Sequence, residues 1–131
     1  MTNNGLEDFI FLSLGSVLGV CLRYYLIKLL TTFSKKKYLR ILYVNTLATF
    51  FLALILTSNN IGGFLNSKYI IFLSLGLFGS LSTFSAFIFD IFESFLNNQW
   101  MQSIKIINYS IFSSLIAILI AIKLINFVNA G

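Results

Sequence analysis

The stretch "GLFGSLSTFSAF", Gly76 to Phe87, lies inside an apolar run that extends from Tyr69 to Phe95. A helix of about 20 apolar residues crosses the roughly 30 Å hydrocarbon core of a bilayer, so the run is long enough to span one. Yet it carries Gly76 and Gly79, the hydroxyls of Ser80, Ser82, Thr83 and Ser85, and Phe84 and Phe87 three positions apart. Proline is absent from the chain, so any break inside a membrane helix has to come from glycine and from Ser or Thr competing for backbone bonds. Gly76 and Gly79 lower helix propensity, and the hydroxyls can satisfy backbone groups that an unwound turn releases. In lipid such a break persists only where protein or a water-filled cavity covers it. The alternative reading is a small-residue face that lets helices approach closely.

Working outward, hydropathy marks four spans, at about 8–33, 40–57, 69–95 and 103–127. The separators "SKKKYL", "SNNIGGFLNSK" and "NNQWMQ" are short and polar, with Tyr69 and Trp100 as interface anchors. At 58% hydrophobic and 10% charged residues, with mean hydropathy +0.92, the chain reads as an all-α integral membrane protein, one four-helix domain over residues 1–131. An amphipathic soluble bundle would show a charged stripe on its helices, and none does. Absence of His and a single Cys exclude the usual His and Cys metal sites, Cys-His catalysis and an internal disulfide. Cys21 reads as a small packing residue. The start, "MTNNGLEDF", has neither a basic n-region nor a cleavage site, so the first span is expected to be retained.

Nine Lys and Arg against four Asp and Glu give +5, an excess that suits loop anchoring better than a nucleic-acid surface. Lys35, Lys36, Lys37 and Arg40 crowd the first loop, with Lys28 and Lys105 on the same side, against Lys68 and Lys123 opposite. The first and third loops are therefore expected in the cytoplasm and both termini outside.

Several polar residues fall within the spans. Asn45, with Thr49 a turn further on, either holds helices together or offers donors to a permeating species. Ser110 and Ser114 repeat at i, i+4, with Asn108 and Ser113 close by, a row that also suits interhelical packing. Arg23 sits where an arginine costs about 2.5–3.5 kcal/mol on insertion scales, so it needs water, a partner or a ligand, or must snorkel. Glu7 and Asp8 suit the N-terminal dipole of the first helix. Asp90 and Glu93, near the end of the third span, are interfacial, or Asp90 pairs with a basic group. Phe84 and Phe87 share a face if the helix resumes after the break. Such rings are ordinary lipid-facing filler, but their positive edges can also accept a small anion.

Taken together, "GSVLGVCLRYY" with Gly15, Gly19 and Arg23, "VNTLATF" with Val44 and Asn45, and "GLFGSLSTFSAF" resemble the CrcB or Fluc fluoride channel family in content and order over nearly the whole chain. Ala48, Ser80, Ser82 and Ala86 depart from the family pattern, each small for small. The resemblance implies a third helix broken near its middle and an antiparallel, dual-topology dimer in the inner membrane, with two narrow fluoride paths. Along a path it implies Asn45, Thr83, Phe84, Ser85 and Phe87, joined by Ser110 and Ser114 of the fourth span, with Arg23 attracting the anion. It further implies a structural sodium ion at the dimer interface, held by the backbone carbonyls of Gly79 and Ser82. The charge bias adds an expectation of mainly one-way insertion, hence pairing with a homologous subunit of opposite bias rather than with a second copy. Rival readings are a proton-coupled four-helix cation or multidrug transporter, which wants a carboxylate deep in the membrane, and a non-conducting assembly subunit. No nucleophile-base pair or metal-ligand set supports an enzyme.

Overall fold

A computed structural model describes residues 4–63 and 65–130; Met1 to Asn3, on which the reading of the chain's start partly rests, lie outside them. In order, the elements are α1 (Asn4–Leu29), α2 (Lys37–Gly62), α3 (Ser67–Ile70), a π-helical segment (Ile71–Phe78), α4 (Gly79–Leu81), α5 (Phe84–Leu96) and α6 (Trp100–Ala130). They make four stretches long and apolar enough to cross a membrane: Gly5–Leu29, Lys37–Gly62, Ser67–Leu96 and Trp100–Ala130.

The span ends shift from the hydropathy limits for local reasons. The first helix stops at Leu29, short of residue 33, where the Thr31 and Thr32 hydroxyls donate to the carbonyls of Lys28 (2.6 Å) and Leu29 (2.8 Å) and compete with the helical ladder. The second runs past residue 57 through polar sequence to Gly62. It ends at Gly63, whose φ of 59° is left-handed and whose N–H donates to the Asn59 carbonyl at 2.8 Å, a cap that glycine adopts without steric cost. Asn98 takes the same left-handed region (φ 57°) between α5 and α6, and the next N–H, of Gln99, closes on the Ser94 carbonyl at 2.9 Å.

Lipid tails are as apolar as leucine, so helix association in a bilayer relies on close packing and hydrogen bonds rather than on expulsion of water. The sequence supplies both. Gly15 and Gly76 bring α1 and the π-helical segment into backbone contact: a Cβ added at Gly15 would lie 3.0 Å from Gly76 Cα, and one at Gly76 would lie 2.9 Å from Gly15 Cα. One turn along, Ser80 fills the space over Gly19, and its Oγ lies 2.6 Å from the Gly76 carbonyl and 3.1 Å from that of Ser16 on α1. The serine at position 80 thus ties the first span to the third. On the other side α2 packs along α6, where Thr46 and Ser113 share a hydroxyl hydrogen bond of 2.9 Å. Val44, Ala48 and Leu81 form the buried centre, with Leu26, Ile27, Leu30 and Phe78 against it.

Ion pairs stand at both ends of the bundle. Lys68 pairs with Glu7 where α1 and α3 begin. At the end bearing the first and third loops, Lys37 lies 3.3 Å from Asp90 and 3.5 Å from Glu93. Asp90 is therefore paired with a basic group, one of the two readings its position allowed. The apolar windows of the four spans are only 11–22% buried, so most of their surface awaits lipid or another chain.

Candidate functional site

The third span changes character within a few residues. From Ile71 to Phe78 the helix is π, its widened turns drawing the Gly79 N–H toward the Ser74 carbonyl. A short α turn, Gly79–Leu81, follows. Ser82 (φ −88°, ψ 117°) and Thr83 (φ −120°, ψ 118°) are then extended, and the α-helix starts again at Phe84.

What holds this geometry is Asn45 on α2. Its side-chain oxygen accepts the Thr83 N–H at 3.2 Å, in place of the ladder bond that a continuous helix would draw from Thr83 to the Gly79 carbonyl. Asn45 is itself steadied by its helix, where Thr49 Oγ1 donates to the Asn45 carbonyl at 2.9 Å. Ser82 N–H still reaches the Phe78 carbonyl at 3.1 Å.

Restarting a helix inside the span creates a second feature that the residue pattern did not announce. The first N–H groups of α5 have no intrahelical carbonyl, no side chain caps them, and the positive end of the helix dipole falls there. Such an end attracts anions. Knowing where the break falls was the missing piece.

Beside the restart lies a cleft of about 430 Å³ between α2, α5 and α6. Asn45, Phe84, Phe87, Ser110 and Ser114, drawn from three separate stretches of sequence, all line it, and so do Thr49 and Ser82. Ile111, Leu115 and Ile118 of α6 complete an apolar side. The Phe84 and Phe87 rings stand 5.8 Å apart between centroids, tilted by 46°. The cleft therefore offers neutral polar side chains and two aromatic rings and no formal charge. It can strip water from a small anion and replace it with hydrogen bonds, without a fixed cation that would hold the ion.

Other expected residues sit elsewhere. Thr83 turns its hydroxyl back toward the Ser80 carbonyl at 3.4 Å, and Ser85 is exposed outside the cleft. Arg23 is half-buried on α1 and does not line the cleft. Gly79 opens the short α turn before the extended pair, and Ser82 is the first residue of that pair. No cluster of His, Cys, Asp or Glu suited to a metal occurs among the described residues, whereas backbone carbonyls released from a helical ladder are hard, neutral oxygen donors of the kind an alkali cation takes.

Comparison with known proteins gives a consistent result. The family described as "CrcB-like protein, Camphor Resistance (CrcB)" matches residues 10–122. Among curated relatives, the "Fluoride-specific ion channel FluC 2" of Prochlorococcus marinus is 35% identical over 114 residues, covering 86% of this chain and 92% of the relative. The "Fluoride-specific ion channel FluC" of Mannheimia succiniciproducens is 26% identical over 123 residues, covering 94% and 97%.

Proposed function

The chain belongs to the CrcB family, and from that premise we propose that it is a fluoride-specific ion channel, a multi-pass membrane protein that lets fluoride leave the cytoplasm passively. It is not an enzyme. The observation that carries the reading is the single cleft in which the Asn45 amide, the Phe84 and Phe87 rings and the Ser110 and Ser114 hydroxyls meet beside the restarted helix. Fluoride is the smallest halide and the strongest hydrogen-bond acceptor among them. Larger halides gain less from the same donors.

Export needs no coupled ion. Hydrogen fluoride enters through lipid as a neutral weak acid and dissociates inside, and a negative interior potential drives the anion out with about 2.3 kcal/mol per 100 mV. Placement in the inner membrane follows from that role. A proton-coupled exporter would use a carboxylate within the span that is free to exchange protons. Asp90, the buried acid of the third span, is occupied by Lys37.

We further infer that two subunits pair antiparallel, which would give the uncovered faces of the spans a partner and bring two copies of the extended pair together. The Gly79 and Ser82 carbonyls of each copy would then hold a sodium ion, whose contribution is to neutralise converging carbonyl dipoles. Thr83 and Ser85, outside the cleft of their own chain, and Arg23, which would attract the anion to a vestibule, are assigned to the paths the pair encloses.

Purified protein in liposomes is expected to release fluoride, read with a fluoride-sensitive electrode, to retain chloride, and to keep doing so when the pH gradient is collapsed. Folded and paired protein that releases no fluoride would overturn the reading. Orientation has its own test: fusions at either terminus with reporters active on one side only are expected to signal mainly from outside. Comparable signals from both sides would replace the heterodimer with a homodimer.

A further inference from the structure

The cleft does not end at Phe87. A narrow cavity of about 10 Å³ shares Asn45, Phe87 and Ser110 with it and adds Tyr38 and Asp90. A third cavity, of about 300 Å³ at the end bearing the first and third loops, shares Tyr38 and Asp90 with the narrow one and opens among Lys37, Glu93 and Asn97. The three cavities thus follow one another from the middle of the span to the loop end, and at the narrow one Tyr38, Asn45, Asp90, Tyr109 and Ser110 stand among the apolar Ile41, Leu42, Phe87 and Ile106.

A carboxylate at that point is the wrong charge for an anion route. Asp90 is only 5% exposed, so water screens it poorly and an anion passing it meets strong repulsion. Lys37 answers that charge. Its Nζ lies 3.3 Å from Asp90 Oδ1, 3.5 Å from Glu93 Oε2 and 4.4 Å from the centre of the Phe89 ring, at the wide cavity of the loop end. The lysine is half-exposed on a flexible stem, which lets the ammonium lean toward an approaching anion and return. Arg40, one turn along α2, adds fixed positive charge, and its Nε is buried without a hydrogen-bond partner among the described residues.

Resting on the channel reading, we propose that Lys37 and Asp90 form the charge gate at the loop-end mouth of the path: Lys37 makes the narrow point passable to fluoride, and Asp90 holds the ammonium there instead of among the lipid headgroups. An ordinary structural ion pair makes a different prediction, because it loses equally whichever partner is removed.

The test uses purified wild type, K37M, D90N and the double variant K37M/D90N, each confirmed as assembled by size-exclusion chromatography and reconstituted in liposomes of neutral lipid. Fluoride efflux is expected to fall at least tenfold in K37M, to run faster than wild type in D90N, and to return to within threefold of wild type in the double variant. A K37M rate equal to wild type, a D90N rate slowed along with K37M, or a double variant no faster than K37M overturns the gate. If K37M does not assemble, D90N and K37R decide instead; K37R keeps the charge and is expected to conduct within threefold of wild type, and slow flux in either variant overturns the gate. Silence of the wild type itself is a separate result, which removes the channel reading beneath it.

Discussion

Fluoride efflux is expected to fall at least a hundredfold when Asn45 is replaced by aspartate, with the protein still assembled. Asparagine does two things at this position: its oxygen accepts the Thr83 N–H at 3.2 Å, and its NH2 group supplies donors at the cleft. Aspartate keeps the first, since either carboxylate oxygen accepts that N–H, so the break in the third span persists. It removes the second and adds a negative charge. Two like charges 4 Å apart repel by about 4 kcal/mol at an effective dielectric near 20, and each 1.4 kcal/mol is a factor of ten. Lost donation acts in the same direction. Reconstituted Asn45→Asp that elutes like wild type and conducts at the wild-type rate would remove Asn45 from the path.

Phe84→Ile is expected to slow fluoride efflux roughly tenfold while leaving assembly intact. Phe84 is 73% exposed within the chain, its ring centroid 5.8 Å from that of Phe87, so the change costs little core packing. Isoleucine keeps the apolar bulk and loses the ring. Aromatic geometry is worth about 0.5–1.5 kcal/mol beyond buried area, which sets the expected loss near one decade. The informative comparison is Phe84→Tyr, which keeps a ring edge and is expected to retain more flux than isoleucine. Equal rates for the two variants would show that the site needs bulk there and not a polarised edge.

Much of the molecule was legible in the chain alone. Apolar runs longer than a bilayer needs, separated by lysine-rich or asparagine-rich loops, announced four spans, because a membrane tolerates backbone only in self-satisfied helices. "GLFGSLSTFSAF" also carries glycines and hydroxyls that favour an interruption of the helix. Its location at Ser82 and Thr83 was not readable from the stretch, because it depends on an acceptor supplied by Asn45, 38 residues earlier in the chain. The fourth span posed the converse difficulty. Ser110 and Ser114 were visible as a row, but a row on a smooth apolar helix has no inherent register. The Thr46–Ser113 hydrogen bond and the packing of α2 along α6 turn that row into the cleft.

Charged residues divide in the same way. Sequence noted Asp90 and the lysines of the first loop separately and left Asp90 two readings, since a carboxylate near a span end is at home in headgroups or in an ion pair. The structure settles it with Lys37 at 3.3 Å. Arg23 is the opposite case: its cost in lipid was evident, yet within one chain it meets no part of the cleft.

By itself, the sequence determined that this protein lives in a membrane as four helices and that one helix carries the means to break, because the hydrophobic length of a span and the backbone preferences of glycine and serine are local properties. Which donors face one another, where the new helix terminus falls and which lysine answers the buried aspartate were decided only in tertiary structure. Those are distances between residues far apart in the chain, and no local preference encodes them.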